Sequence, residues 1–394
     1  MTLHLEVAVD IVVIGAGIVG AACAFHAASA GLGVTVLDRG PVGAGTTSRG
    51  EGNILLSDKE PGPELELARL SRDLWDEAGE ELGPGKVEFE NKGGLVAAST
   101  PEGLAALHAF AARQAAAGIQ TERVDRLDAF EPHIAPGLPG GVHYPQDAQV
   151  QPVLAASGLL RAAVRRGARV RTGEALAAVT GTDGRVTGVR TADGAVLAAD
   201  AVVNAAGTWG GEVGRRLGAP VAILPRRGFV LVTEPLPPMI RHKVYSADYV
   251  AHVASSDEGL ETSCVVEGTR AGTILIGASR ERVGFDTTMN PAVVALLAAQ
   301  ACRLFPFLRD VHLIRAYRGF RPYCPDHLPV VGPDPRVPGV LHACGHEGAG
   351  IGLAPGTGAL ITAQLLGRPW RGADPAAHTG LLPDRFLTTG GVPK

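Results

Sequence analysis

The stretch from Val9 to Asp38, VDIVVIGAGIVGAACAFHAASAGLGVTVLD, constrains the fold of this chain more than any other. The β-branched run that ends at Ile14 has the character of a strand buried on both faces. Gly15, Gly17 and Gly20 follow at G-x-G-x-x-G spacing and lead into an Ala-rich helical segment from Ile18 to Ala30. In such a turn the first glycine permits the tight bend and the second lets a pyrophosphate approach the backbone. The third lets the helix pack closely on the strand, with the helix N-terminus facing an anion. A second apolar run, Val34 to Leu37, ends in Asp38, about 20 residues beyond the glycines, where a carboxylate meets an unphosphorylated ribose. Strand, triad, helix, strand and acid together predict a dinucleotide site that includes Gly15, Gly17, Ile18, Val19, Asp38 and Arg39.

That unit suits NAD or FAD equally. The continuation, RGPVGAGTTSRGEGN from Arg39 to Asn53, is a polar, glycine-rich loop where a dehydrogenase would have its next strand. Thr46, Thr47 and Ser48 in it offer hydroxyl and backbone donors to a second part of a long cofactor, which favours FAD.

With 394 residues, two domains around two cores are expected. A net charge of -4 predicts no nucleic-acid partner. The five cysteines are odd in number, widely spaced and lack a C-x-x-C pair, so neither a metal site nor a disulfide framework is expected. No basic residue precedes the apolar N-terminal run, and no stretch has the length of a membrane span. A soluble cytoplasmic protein is the expectation.

Along the chain, the pattern predicts helices over Pro63 to Leu82, Pro101 to Gly118, Pro152 to Arg166 and Pro291 to Phe305. It predicts a hairpin in Val87 to Thr100, a Pro-rich connector between Glu131 and Pro152, and a strand at Ala168 to Arg171. Hairpins follow at Asp183-Gly184 and Asp193-Gly194. Ala201 to Gly207 reads as a buried strand whose small end, Ala206 and Gly207, borders a cofactor. Val221 to Arg282 reads as short alternating strands. Near the C-terminus VLHACGHEGAGIGLAPGTG forms a second glycine-rich strand-to-helix turn, with the helix from Thr357 to Leu366. Trp75 and Trp209 read as core.

Six ordered signals, the glycine triad with Asp38, GAGTTS, DAQVQP, VVNAAGTW, GFRPYCPDHLPVVG and GHEGAGIGLAP, resemble the FAD-dependent family that includes glycine oxidase, D-amino acid oxidase and sarcosine oxidase. PDHLP and GHEGAGIGLAP most resemble flavin subunits of opine oxidases, hydroxyproline dehydrogenases and hydrogen cyanide synthases. The resemblance implies an α/β chain, α+β overall, with a Rossmann-type FAD-binding domain and an inserted antiparallel-sheet substrate domain. Residues 7–85, 147–220 and 322–385 would form the first, and residues 86–146 and 221–321 the second.

It also implies roles. Gly15, Gly17, Gly20 and Asp38 would hold the adenosine half, Thr46, Thr47 and Ser48 the pyrophosphate, and Ala206 the adenine side. Gly345, Gly348, Ala349, Gly350 and Ile351 would surround the flavin ring. Arg321 would grip a substrate carboxylate bidentately; its alternative reading is an ion pair with Asp326 or Glu347. His346, Glu347, Glu51 and Asn53 would approach the ring, and Tyr249, His252 and Arg270 the substrate. The cysteine that joins flavin covalently in sarcosine oxidases falls on Gly319 here. Non-covalent FAD is therefore expected, with Cys324 and Cys344 as packing residues. The implied reaction is oxidation of an amino acid C–N bond by hydride transfer to flavin N5, giving an imine that hydrolyses. Oxygen, or a protein or quinone partner in a multi-subunit dehydrogenase, would take the electrons; a flavin subunit without turnover is a further reading.

Overall fold

The computed structural model describes residues 10–247 and 257–387. The chain begins β1 (Asp10–Ile14), α1 (Ile18–Ser29), β2 (Gly33–Asp38), β3 (Asn53–Ile54), α2 (Pro63–Leu82), β4 (Gly94–Ala98) and α3 (Pro101–Ala116). It continues β5 (Glu122–Val124), β6 (Gly140–Tyr144), β7 (Ala148–Gln149), α4 (Pro152–Arg165), β8 (Arg169–Thr172), β9 (Ala175–Thr180), β10 (Val186–Thr191), β11 (Val196–Ala198), β12 (Ala201–Asn204) and α5 (Gly210–Arg216). The rest is β13 (Leu224–Thr233), β14 (Lys243–Ser246), β15 (Glu261–Gly268), β16 (Ile274–Arg280), α6 (Pro291–Leu304), β17 (Leu313–Tyr323), β18 (Val330–Pro333), β19 (Val340–Cys344) and α7 (Gly350–Leu366).

The fold is mixed α/β. One six-stranded sheet runs β18-β19-β12-β1-β2-β8, parallel throughout except for the edge strand β18. Its centre is β1, whose Ile11, Val12 and Val13 are buried because strands flank it on both sides and helices cover it. At its end Gly15 has φ +111° and a Cβ there would stand 2.4 Å from Ala205 O; at Gly20 it would stand 1.9 Å from Gly15 O. No other residue fits either place. The helix α1 that follows is buried from Gly20 to Ala28, so its alanines face core on every side.

The second large sheet runs β17-β13-β16-β15-β14-β4-β6-β5. It is antiparallel except where β14 pairs parallel with β4, a departure from the wholly antiparallel sheet expected. Val293, Leu297 and Ala301 of α6 pack with Phe229, Leu231, Val266 and Ile276 in the core of this sheet. Small β9-β10-β11 and β3-β7 sheets complete the fold, the first turning at Gly184 and Gly194 as expected.

Three local expectations are corrected. Val87 to Thr100 is not a hairpin: it holds one strand, β4, whose partners β6 and β14 come from distant chain. The connector between Glu131 and Pro152 contains two strands, β6 and β7, the latter paired with β3. The last helix starts at Gly350, seven residues earlier than expected, and runs through Pro355. Pro355 lacks an N–H, which strands the Ile351 carbonyl. Trp75 Nε1 of α2 donates to Ile351 O at 3.0 Å and to Gly352 O at 3.1 Å. Ser71 Oγ donates to Gly352 O at 2.6 Å and accepts from Gly356 N at 3.0 Å. Side chains of α2 thus replace the missing bonds, and the glycine-rich turn continues directly into helix.

Candidate active site

A long cavity follows the carboxyl ends of β1, β2 and β12, crosses the N-termini of α1 and α7, and reaches β17. Gly15, Gly17, Ile18, Val19, Asp38, Arg39, Ala206 and Gly207 all line it. Asp38 is fixed at its mouth because its carboxylate accepts from Ala16 N at 2.6 Å and Gly40 N at 2.8 Å. Trp209 is not core: half-buried on the cavity wall, it lies 4.4 Å beneath the Arg39 guanidinium and stacks on Phe285.

The hydroxyls of the loop after β2 bond within the protein. Thr47 Oγ1 accepts from Ile18 N at 3.0 Å, capping α1, and Thr46 Oγ1 donates to Phe320 O at 2.7 Å beside Thr208 Oγ1. Both threonines line the cavity while tying the loop to α1 and β17. Ser48 does not line it; its hydroxyl turns back to Ala44 O at 3.2 Å.

At the far end, β13 and β17 pair so that Arg226 stands directly opposite Arg321. Two cations side by side on one sheet face repel unless acids intervene. Arg226, fully buried, is held by Glu261 at 3.0 Å and Glu347 at 3.5 Å. Glu347 is also 2.9 Å from His327 Nδ1, and Asp326 pairs with Arg385 at 2.6 Å. The acids proposed as ion-pair partners of Arg321 are thus engaged with other cations. Arg321 Nη1 donates to Ser279 O at 2.7 Å, and the guanidinium lies over Gly228, where a Cβ would be 2.2 Å from Nη1.

His346, Glu347 and Gly348 share this end of the cavity with Gly350 and Ile351. Burial pushes the His346 imidazole down to about 3, so it is neutral, with Nε2 3.0 Å from Thr357 Oγ1. Glu51 and Asn53 also line the cavity, Asn53 Nδ2 donating to Glu51 Oε2 at 3.2 Å. Burial raises the Glu51 carboxyl above its ordinary value, against the nearby Lys243. Among the described residues no donor meets Glu51 Oε1 or Asn53 Oδ1, two buried atoms on the cavity wall. Gly345 faces Ile223 and Cys324 rather than the cavity. Cys324 and Cys344 are buried packing residues, and burial pushes the Cys344 thiol up to about 12. At Gly319, on the cavity wall, a Cβ would stand 2.4 Å from Arg49 Cβ.

A second cavity, about 550 Å³, adjoins the first, and Arg321, His346, Glu347 and Gly348 line both. Ala349 lines only this one, together with Arg280 of β16 and the segment Asp58–Glu64. Arg270 is exposed and lines neither cavity; Tyr249 and His252 lie outside the described residues. Sequence reasoning did not single out Arg280, Lys59, Glu64 or Gly228. Glu64 in particular reads locally as an ordinary acid in the first turn of α2.

Glycine turn, ribose-facing acid and a single cavity spanning both glycine-rich helix N-termini define a flavin dinucleotide oxidoreductase. The family model described as FAD dependent oxidoreductase (DAO) matches residues 10–364, and the chain belongs to that family. It is 32% identical to glycine oxidase of Pseudomonas putida over 373 residues, 91% of this chain and 94% of that protein. It is 32% identical to hydrogen cyanide synthase subunit HcnC of Pseudomonas aeruginosa over 238 residues, 60% of this chain. That match spans only 54% of HcnC's own length. Among solved structures, glycine oxidase from Geobacillus kaustophilus superposes with TM-score 0.82 at 26% identity, covering 94% of this chain and 97% of that one. L-proline dehydrogenase from P. horikoshii shares the fold, with TM-score 0.86 at 22% identity over 97% and 98% of the two chains.

The protein is therefore an FAD-dependent oxidoreductase. The residues present fit the cofactor: glycines where a Cβ would collide, an anchored acid at one end, and orphaned polar atoms of Glu51 and Asn53 at the other. Among the described residues no helix is long and apolar enough to cross a membrane.

Proposed function

We propose that the protein oxidises the C–N bond of an amino acid, either glycine, a D-amino acid or an N-substituted one, with FAD held non-covalently. Residues 7–85, 147–220 and 322–385 would carry FAD, and residues 86–146 and 221–321 would cover the substrate. The observation that carries this reading is Arg321, placed by β17 where the two cavities share a wall. A guanidinium there grips a carboxylate through two parallel N–H bonds and so fixes the attached Cα relative to the cofactor cavity. Ser279 O and the space over Gly228 hold the fork in place. Bound FAD supplies the two-electron acceptor for the hydride that leaves Cα. The neutral His346 imidazole adds no charge to the end of the cavity that Arg321 lines. The amine proton leaves to solvent, and water converts the imine to an oxo acid.

The test is anaerobic bleaching of the bound flavin by glycine, N-methylglycine, proline, and D- and L-amino acids. Rapid bleaching by one class supports the reading; no bleaching by any carboxylated amine overturns it.

A second reading, a flavin subunit that hands electrons to a partner protein or quinone instead of oxygen, is favoured by the likeness to HcnC, itself named a subunit. The edge strand β17 also exposes Leu313 and Ile314, the latter 61% accessible. Turnover with an artificial electron acceptor but negligible oxygen uptake would support it.

A further inference from the structure

The second cavity is lined by four acids, Asp58, Glu60, Glu64 and Glu347. Three have cations of their own. Asp58 accepts from Lys59 Nζ at 2.6 Å, Glu60 lies 2.9 Å from Arg113, and Glu347 is held by His327 and Arg226. Among the described residues Glu64 has no hydrogen-bond or ion-pair partner. It is surrounded by protein yet keeps partial exposure, because what it faces is the cavity. A carboxylate so placed is costly unless a cation meets it. Burial accordingly pushes it up to about 7, with Lys59 and His327 lowering it and Asp58 and Glu347 raising it.

Arg321 and Arg280 line the same cavity. The cavity therefore combines guanidinium groups suited to a carboxylate with one lining acid that, among the described residues, no hydrogen bond or ion pair engages. We propose that the cavity takes an amino acid with a cationic tail, its α-carboxylate held by Arg321 and its tail by Glu64. The tail would be an amine or guanidinium on the side chain or on the nitrogen substituent. This rests on the amino acid reading above and adds the substrate's charge pattern to it. Glu64 is a specificity-determining residue on this account; it takes no proton from the reacting carbon.

Arginine and citrulline make the test, since they match in shape and differ by one charge. Anaerobic flavin reduction by the holoenzyme is followed with both compounds, each as the D, L and Nα-methyl form. Wild type is expected to favour arginine by at least about tenfold in kcat/KM, through KM. Glu64→Gln should bring the ratio towards one, Glu64→Asp should restore part of it, and Glu64→Lys should invert it. Flavin content and melting temperature of each variant establish that it has folded. Equal rates for the two compounds in wild type, or a ratio unmoved in a folded Glu64→Gln protein, overturn the inference. If glycine, N-methylglycine or proline bleach the flavin under those results, the amino acid reading stands without this one. If no carboxylated amine bleaches it, both fall.

Discussion

The two cavities that meet at Arg321 are built on opposite principles. The flavin cavity is largely a backbone construction: glycines at positions that tolerate no Cβ, two helix N-termini, and an acid anchored by main-chain N–H groups. The second cavity, proposed above for the substrate, is a side-chain construction. Its charged walls come from the loop before α2, from β16 and β17, and from the turn before α7. A backbone site recognises what every member of the family binds and tolerates few substitutions. A side-chain site can change its ligand while the frame stays put.

The sharpest way to break this contrast is at Gly15. Gly15→Ala combines a left-handed backbone with a Cβ 2.4 Å from Ala205 O, so it should destabilise by more than ~3 kcal/mol and yield colourless protein. Retention of stoichiometric flavin in that variant would mean that the backbone is not the limiting element. A smaller effect is expected where α2 braces the start of α7. Trp75→Phe removes the donor that serves Ile351 O and Gly352 O around Pro355 and should cost ~1–3 kcal/mol in denaturant unfolding. An unchanged midpoint would show that α7 closes its own bonds.

The smallest effect is in the pH dependence of stability. Asp147 accepts from Ser57 Oγ and from Leu56 N at 2.8 Å, and burial pushes its carboxyl up from 3.8 to about 7. Because the folded-state value is the higher one, its contribution is complete below about 3.8 and is lost as the pH rises through 7. Asp147→Asn should therefore flatten the fall in melting temperature between pH 5 and pH 8; a slope equal to wild type would refute this assignment.

What could be read in advance follows the same division. Gly15, Gly17, Gly20 and Asp38 announce themselves because their pattern depends on spacing within some 30 residues of chain, and the resemblance singles out Arg321 and the turn after β19, which the structure sets on the same cavity. Trp209 reads as core from its own segment because its real neighbours, Phe285 and Arg39, come from distant chain. Glu64 could not be singled out, since its lack of a partner is a statement about Lys59, Arg113, Arg226 and His327 choosing other acids. The opposition of Arg226 and Arg321 is a matter of β-strand register, which residues more than ninety positions apart do not reveal locally. The start of α7 escaped notice because Pro355 looks like a boundary until Trp75 and Ser71 are seen to cover for it.

The central claim is that Arg321 holds a carboxylate against the flavin cavity. Stopped-flow anaerobic reduction by N-methylglycine and by dimethylamine, its counterpart without a carboxylate, tests it most directly. Wild type should be reduced at least about 100-fold faster by the amino acid, and Arg321→Gln, with its flavin retained, should erase most of that advantage. Equal reduction by both compounds, or an advantage untouched by the substitution, would contradict the account.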